Sequence, residues 1–141
     1  MAMNITLEVV TPERVLVSEE IQMVTAPGTE GEFGVLPGHT PFLTTLKIGA
    51  LRYKDMKGAD RYVFVSGGFV EVLPYKVTFL AETAERRREI DTERARAAAE
   101  RARKRLESRE SGVDFERANA ALIRAQQRLS LSETLRRGTL Q

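Results

Sequence analysis

The chain changes character near residue 82, and this change restricts its possible folds more than any other feature. Before it, apolar side chains recur at every second position in short runs such as Ile5–Val9, which is the spacing of half-buried β-strands. From residue 84 onward glycine becomes rare and alanine, arginine and glutamate dominate, a composition typical of helices. The sequence therefore predicts an α+β protein with a strand-rich head over residues 1–85 and a helical part over residues 86–141.

The head contains a series of short apolar runs separated by turn residues. The predicted strands are Ile5–Val9, Arg14–Val17, Ile21–Ala26, Phe42–Lys47, Ala50–Tyr53, Arg61–Ser66, Phe69–Leu73 and Val77–Ala81. The predicted turns are Pro27-Gly28, Pro37-Gly38, Gly49, Lys57-Gly58, Gly67-Gly68 and Pro74-Tyr75. Gly67-Gly68 is the clearest hairpin signal, because glycine accepts the positive φ angles of tight turns. Strands at this spacing predict an antiparallel β-sandwich or a flattened barrel.

The helical part divides into two segments. Asp91 is a good N-cap for the first helix, and Asp114 is a good N-cap for the second. The segment 108–113 interrupts the helical pattern, and Gly112 within it is suited to close a helix end. The second helix is expected to run to about Arg136-Arg137. Because the link is short, the two helices are predicted to form an antiparallel hairpin.

The predicted contact surface between the helices consists mostly of alanine. At helical spacing, its members are Ala95, Ala98, Ala102 and Leu106 on the first helix and Ala118, Leu122, Ala125 and Leu129 on the second. A buried methyl-sized group contributes roughly 0.8 kcal/mol, against about 2 kcal/mol for a leucine. The hairpin is therefore expected to be marginally stable, although a close-packed hairpin that never opens agrees equally well with this pattern.

Charge is unevenly distributed along the chain. Residues 1–81 carry seven basic and nine acidic side chains (net −2), whereas residues 82–141 carry fifteen and eleven (net +4). The helical part is thus either a solvated surface or a basic arm for an acidic partner or an anion. Nucleic-acid binding is not expected, because the basic residues alternate with acids and lack aromatic neighbours.

Several function classes are not expected from this sequence. The chain has no cysteine and a single histidine, His39, so a metal centre is not predicted. No catalytic grouping is evident: Ser66 lacks the surrounding Gly-x-Ser-x-Gly pattern, and Gly31–Gly34 lacks the lysine of a phosphate loop. No apolar run approaches the ~20 residues of a membrane span, and the N-terminus has a strand pattern rather than a leader pattern. We therefore expect a non-enzymatic protein that reaches membranes only through partners.

One cationic grouping follows from hairpin geometry. If the helices fold back about residue 111, Arg94 lies opposite Arg128 and Ala98 lies opposite Arg124. Arg124 and Arg128 are four residues apart and so share one helix face. Guanidinium groups favour carboxylate and phosphate partners. The group is therefore either an ordinary Arg/Glu salt-bridge network or an anion site, for example for a nucleotide phosphate.

Four segments resemble the epsilon subunits of F-type ATP synthases. They are Gly31–Thr44, Val65–Val72, Val77–Ala84 and Ile90–Ala95, the last of which is similar to the family's nucleotide-binding pattern Ile/Leu-Asp-x-x-Arg-Ala. The resemblance covers nearly the whole chain. It implies a ten-stranded head and a non-catalytic subunit of the central stalk, or rotor, of a bacterial synthase at the cytoplasmic face of the plasma membrane.

The resemblance also implies partners and a role in regulation. The head is expected to pack on the gamma subunit, and the loop containing Glu32 and His39 is expected to face the ring of c subunits. The helices are expected either to stay folded or to extend among the alpha and beta subunits and inhibit ATP hydrolysis. The basic residues assigned to contact with an acidic segment of the beta subunits are Arg101, Arg103, Lys104, Arg105 and Arg109.

No cofactor is required by this interpretation, but ATP is a possible regulatory ligand of the folded hairpin. The residues that correspond to the family's ATP site are Glu85, Ile90, Asp91, Arg94, Ala95, Arg124 and Arg128. Two alternatives remain at the level of sequence. One is a structural connector with a permanently folded hairpin, and the other is a stand-alone nucleotide-binding sensor.

Overall fold

The computed structural model describes residues 4–108, 112 and 114–139, with side chains described as far as residue 133. Its contacts divide the chain into two compact units, Met1–Arg86 and Arg87–Gln141. These units are called the head and the hairpin below.

The head is a β-sheet that closes on itself. Its strands are β1 (Ile5–Val10), β2 (Val15–Gly28), β3 (Gly31–Val35), β4 (Phe42–Asp55), β5 (Asp60–Leu73), β6 (Lys76–Ala81) and β7 (Ala84–Arg86). The order β1-β6-β5-β4-β2 returns to β1, while β3 extends the sheet beside β2 and β7 pairs with β5. Because β1 pairs with both β6 and β2, the sheet forms a flattened barrel.

Two features of the predicted sandwich were wrong. The described residues form seven strands rather than about ten, and β1 and β6 run parallel, so the sheet is not wholly antiparallel. Six of the eight predicted runs merge in pairs into β2, β4 and β5, which are each 14 residues long. The strands β3 and β7 were not predicted, and they bring the total to seven. Gly49, predicted as a turn, lies within β4 opposite Val65 of β5 and does not end the strand.

Gly67-Gly68 forms a corner inside β5, not the predicted hairpin turn. Both glycines have positive φ angles, +102° and +127°. Before them β5 pairs with β7 at Val63–Val65, and from Gly68 onward it pairs with β6. A Cβ atom on Gly68 would lie 2.1 Å from the carbonyl oxygen of Leu80. The glycine pair therefore lets one long strand exchange partners while the neighbouring backbone approaches closely.

The barrel interior is filled by the alternate residues of the strands. Its largest fully buried side chains include Tyr53, Leu51, Phe79 and Leu7. The predicted turn at Lys57-Gly58 is confirmed. There the Asp55 carboxylate accepts hydrogen bonds from the backbone N–H groups of Lys57 and Ala59, at 2.9 Å each. The Ala59 N–H is the main cause of a pKa of Asp55 below its ordinary value.

The hairpin begins with a 3₁₀ turn, Arg87–Glu89, followed by α1 (Thr92–Glu107) and α2 (Phe115–Thr139). Both predicted N-caps are confirmed. Asp91 accepts a hydrogen bond from the Arg94 backbone N–H at 3.1 Å, and Asp114 accepts one from the Arg117 backbone N–H at 3.0 Å. The second helix ends at Thr139, slightly beyond the predicted end.

Alanine dominates the contact between α1 and α2, as predicted. The buried residues of the hairpin are Ala95, Ala99, Ala102, Ala118, Ala125 and Leu131. Ala98, predicted to lie in this surface, is half-buried and Ala99 takes the buried position, because the contact follows a spacing of four and then three residues. Leu106, Leu122 and Leu129 are also only half-buried. Apart from Leu131, the hairpin thus buries no large side chain fully among the described residues.

The corner at Gly68 makes a test of the barrel possible. Gly68→Ala should lower the free energy of unfolding by about 3 kcal/mol, because the substitution combines an unfavourable φ angle with a clash against backbone. Gly34→Ala is the matched control, since the nearest atom to its added Cβ is 4.0 Å away. Urea unfolding followed by the fluorescence of the head's tyrosines measures both variants. Equal midpoints would show that the corner tolerates a side chain.

Candidate functional site

The segment Ile90–Ala95 builds the start of α1. The Asp91 side chain caps the helix, and its backbone carbonyl accepts a hydrogen bond from the Ala95 N–H at 3.0 Å. The Ile90 N–H donates to the Arg87 carbonyl at 3.2 Å. Ala95 is buried against α2, whereas the Arg94 side chain is exposed. The motif therefore has a structural role, and it leaves the Arg94 guanidinium accessible to a ligand.

A hydrogen bond between hydroxyl groups fixes the register of the hairpin at its base. The Oγ1 of Thr92 on α1 lies 3.0 Å from the Oγ of Ser132 on α2. This pairing centres the hairpin on Gly112, which has a φ of +96°, rather than on residue 111. Arg94 is consequently displaced along the axis relative to Arg128 by two residues, which is about 3 Å. Arg124 and Arg128 are half-buried on α2.

The remaining residue of the predicted ATP site lies in the other unit. Glu85 belongs to β7 of the head, where its backbone is in register with Phe64 of β5. The other six residues, from Ile90 to Arg128, all lie in the hairpin. The ATP site as a set of seven residues stays a prediction.

The exposed basic residues of α1 fall on two different flanks. On one flank Arg96 is paired with Glu93 at 2.7 Å, and Arg103 is paired with Glu100 at 2.9 Å. The other flank carries Arg94, Arg101 and Arg105, whose spacings of seven and four residues place them in one row. Of the residues predicted to meet an acidic partner, Arg103 is thus already paired within the chain. Lys104 is exposed beside this row, and Arg109 lies outside the described residues.

The loop after β3 is attached to a neighbouring turn. The Gly38 N–H donates to the Pro74 carbonyl at 2.7 Å. His39 is half-buried, with its Nδ1 2.7 Å from the Thr40 carbonyl oxygen and its ring centroid 5.4 Å from that of Phe42. These contacts are structural, as a loop histidine commonly makes. Glu32 is exposed on β3.

An apolar surface on the head was missed by the sequence analysis. Phe69 and Leu80 pair across β5 and β6 and are 55% and 53% exposed, and Leu80 also pairs with Val10 of β1. They border an open groove of about 360 Å³. The groove, called the apolar groove below, is lined by Val10, Thr11, Pro12, Gly68, Phe69, Leu80, Ala81 and Glu82.

Strand alternation could have revealed this surface. Val70 and Val72 point into the barrel, so Phe69 must point outward, together with Glu71. By the same argument Phe79 points inward and Leu80 outward. Two large apolar residues at outward positions of adjacent strands predict a docking surface. The signal was present in the sequence, but it required knowing which strands are neighbours.

No helix in the described part of the chain is both long and apolar enough to cross a bilayer. Within the same residues, no group of three or more His, Cys, Asp or Glu side chains is placed to hold a metal ion.

A closed barrel with an apolar groove, joined to a basic two-helix hairpin, defines a two-part protein. Two models of known protein families match this chain over almost its whole length. Residues 4–87 match the ATP synthase Delta/Epsilon chain beta-sandwich domain, and residues 88–133 match the long alpha-helix domain of the same chain. The chain belongs to the epsilon subunit family of the F-type ATP synthase, and it is a non-catalytic subunit.

Individual relatives are similar over most of their length. The ATP synthase epsilon chain of Desulfatibacillum aliphaticivorans is 66% identical over 111 residues, which cover 79% of each chain. That of Desulforapulum autotrophicum is 66% identical over 112 residues, covering 79% of this chain and 83% of the relative.

Solved structures show the same fold. A chain in the cryo-EM structure of the Euglena gracilis mitochondrial ATP synthase (OSCP/F1/c-ring) superposes with a TM-score of 0.78 and 28% identity, covering 88% of this chain and 78% of that one. A chain in the Tetrahymena thermophila central stalk/c-ring structure shares the fold, with a TM-score of 0.55 and 16% identity.

Proposed function

We propose that the chain is a rotor-stalk subunit that docks through its head and regulates ATP hydrolysis through its hairpin. The apolar groove carries the docking half of the proposal, since large apolar residues exposed on adjacent strands are costly unless a partner covers them. The alanine contact of the hairpin carries the regulatory half, because it buries little surface. The proposal places the subunit at the cytoplasmic face of the bacterial plasma membrane, attached peripherally through its partners.

The proposed occupant of the apolar groove is the gamma subunit. Aromatic and aliphatic residues that are half-exposed in a free subunit and surrounded by polar groups are characteristic of interface anchors. Phe69 and Leu80 are such residues, and Thr11 and Glu82 supply polar groups at the groove. The Euglena gracilis structure that shares this fold contains F1 and the c-ring, which supports a partner within the synthase.

Acidic substitution tests the groove. Phe69→Asp and Leu80→Asp should each weaken binding of the purified gamma subunit by about 2 kcal/mol or more, roughly 30-fold in Kd, because a carboxylate would be buried in an apolar contact. Surface plasmon resonance with immobilised gamma measures the affinity. Met56→Asp is the matched control: Met56 is 44% exposed at the distant 55–60 turn and should tolerate the same change. Unaltered affinity of the Phe69 and Leu80 variants would move the gamma contact elsewhere.

The proposed c-ring contact is the end of the barrel formed by the 36–41 loop and the 74–75 turn. The hydrogen bond from Gly38 to Pro74 joins the two segments. Leu36 and Tyr75 are 59% and 68% exposed there, beside the half-buried His39. Leu36 and Tyr75 supply exposed apolar groups, and Glu32, nearby in sequence, supplies a charge, so this end of the barrel offers both kinds of contact to the c ring.

Inhibition is proposed to require opening of the hairpin. An alanine contact lets the two backbones approach closely but contributes only roughly 0.8 kcal/mol per methyl group. Separation of the helices therefore requires little free energy. The row of Arg94, Arg101 and Arg105 has no ion-pair partner among the described residues. Together with Lys104, this row offers positive charge to an acidic segment of the beta subunits.

A reversible crosslink tests whether opening matters. Thr92→Cys with Ser132→Cys introduces the only two cysteines, at positions whose side-chain oxygens are 3.0 Å apart. Oxidation should hold the hairpin closed and raise ATP hydrolysis by the assembled complex about fivefold or more, as should deletion of residues 88–141. Reduction should restore the inhibited rate.

The alternative is a structural connector, which the hydrogen bond between Thr92 and Ser132 favours because it closes the base of the hairpin. In that case hydrolysis would be identical in the oxidised and reduced forms. Identical rates would therefore contradict inhibition by an opened hairpin.

ATP is proposed to stabilise the closed hairpin through Asp91 and the arginines of both helices. Calorimetric titration of the full chain with ATP should give binding that Arg94→Ala and Arg128→Ala each weaken about tenfold or more, since each removes a charge-assisted contact to phosphate. Asp91→Asn should also weaken it while keeping α1 intact, because asparagine caps helices as well as aspartate does.

The control for this titration is Arg96→Ala, which removes an arginine from the same helix that is already paired with Glu93. Its affinity should match that of the unmodified chain. Binding that survives Arg94→Ala and Arg128→Ala would exclude the proposed site. A nucleotide sensor acting outside the synthase would bind ATP in this way yet fail the gamma-binding test.

A further inference from the structure

The strand β2 contains a bulge at the point where it meets β1. Val9 pairs with Val17 and Val10 pairs with Val15, so Leu16 has no partner residue on β1. A bulge interrupts the hydrogen bonds between strands and leaves backbone groups that need other partners. The Leu16 side chain is 8% exposed, so this irregularity lies at the edge of the core.

The last residue of the head supplies the missing partner. The Nη2 of Arg86, at the end of β7, donates a hydrogen bond to the Leu16 carbonyl at 2.9 Å. Its Nη1 donates to the Tyr53 hydroxyl of β4 at 3.4 Å. One guanidinium thus connects β7 to both β2 and β4, whereas backbone pairing joins β7 only to β5. The planar fork of arginine suits such a double contact.

Tyr53 extends from the core of the barrel and accepts one of the two hydrogen bonds of Arg86. Its side chain is 1% exposed, so its hydroxyl group needs a hydrogen-bonding partner at the barrel end. Burial and the neighbouring Glu19 carboxylate raise the pKa of Tyr53, whereas the charge of Arg86 acts in the opposite direction. The hydroxyl is therefore neutral at physiological pH and accepts a hydrogen bond from Arg86 while it remains free to donate one to Glu19.

β7 has little backbone support of its own. It is three residues long and pairs with β5 only through Val63, Phe64 and Val65. Such a short terminal strand is expected to fray unless side chains hold it. The boundary between the two compact units follows β7 directly, between Arg86 and Arg87.

We infer that Arg86 is a closing residue that locks the end of the barrel and confines any conformational change of the hairpin to the chain after Arg86. Its guanidinium replaces the backbone pairing that the bulge at Leu16 removes. The head then remains complete whether the hairpin is closed or open. The contacts of Arg86 lie within the head, so the inference does not depend on whether the hairpin inhibits hydrolysis.

Hydrogen exchange of the full chain, measured by mass spectrometry, tests the inference. In the unmodified protein the amides of 84–86 and 63–65 should be protected like the rest of the barrel, and those of 87–91 should exchange faster. Arg86→Gln should speed exchange in 84–86 and around Leu16 by about tenfold or more, because it removes a charged donor from a buried carbonyl. Exchange within 102–107 of α1 should stay the same.

Two further variants separate this role from a general effect of charge or folding. Arg88→Gln makes the same substitution two residues away at an exposed position and should leave exchange in the head unchanged. Tyr53→Phe removes only one of the two acceptors and should produce a smaller increase in the same segments. If Arg86→Gln behaves like Arg88→Gln, or if β7 of the unmodified chain exchanges as fast as residues 87–91, the inference is wrong. If Arg86→Gln unfolds the head, Tyr53→Phe provides the test. Faster exchange in 84–86 would then support the inference, and unchanged exchange there would contradict it.

Discussion

The pairing of β1 with two strands at once is the constraint on which the head depends. β1 is antiparallel to β2 and parallel to β6, so it converts an open sheet into a ring. A closed sheet has few free edges, and its alternate residues can fill one interior without a covering layer of helices. The head can therefore be complete by itself. The apolar residues that it leaves outside the barrel, such as Phe69 and Leu80, are then available to partners.

Closing a ring from long strands creates local conflicts, and particular residues resolve them. At Gly67-Gly68 one strand changes partners, and only glycine allows the approach of the Leu80 carbonyl. At Leu16 a bulge interrupts the pairing of β2 with β1, and the side chain of Arg86, the last residue of the head in sequence, donates a hydrogen bond there. Both adjustments lie within the head, so neither requires the hairpin to be in one particular state.

The sequence predicted local features well and long-range ones poorly. Both helix caps follow from Asp91 and Asp114 because capping involves residues only three positions apart. The glycine pair was misassigned because a hairpin turn and a partner exchange make the same local demand for positive φ. The parallel pairing of β1 with β6 joins segments some 70 residues apart, and no local pattern encodes it. The apolar groove was missed for the same reason, because local patterns do not show which strands are neighbours. The hairpin register differs from the predicted one because the turn centres on Gly112 rather than on residue 111.

The hairpin has the opposite character, since little holds it closed. Among the described residues its buried side chains are alanines with one leucine, and the hydroxyl pair of Thr92 and Ser132 joins the helices at the base. Occupancy of a site at ten times its Kd shifts a two-state equilibrium by only about 1.4 kcal/mol. That shift would be negligible against a leucine-rich contact but matters for this one. A closed barrel joined to a weakly held hairpin therefore lets small binding energies change the hairpin while the head stays unchanged.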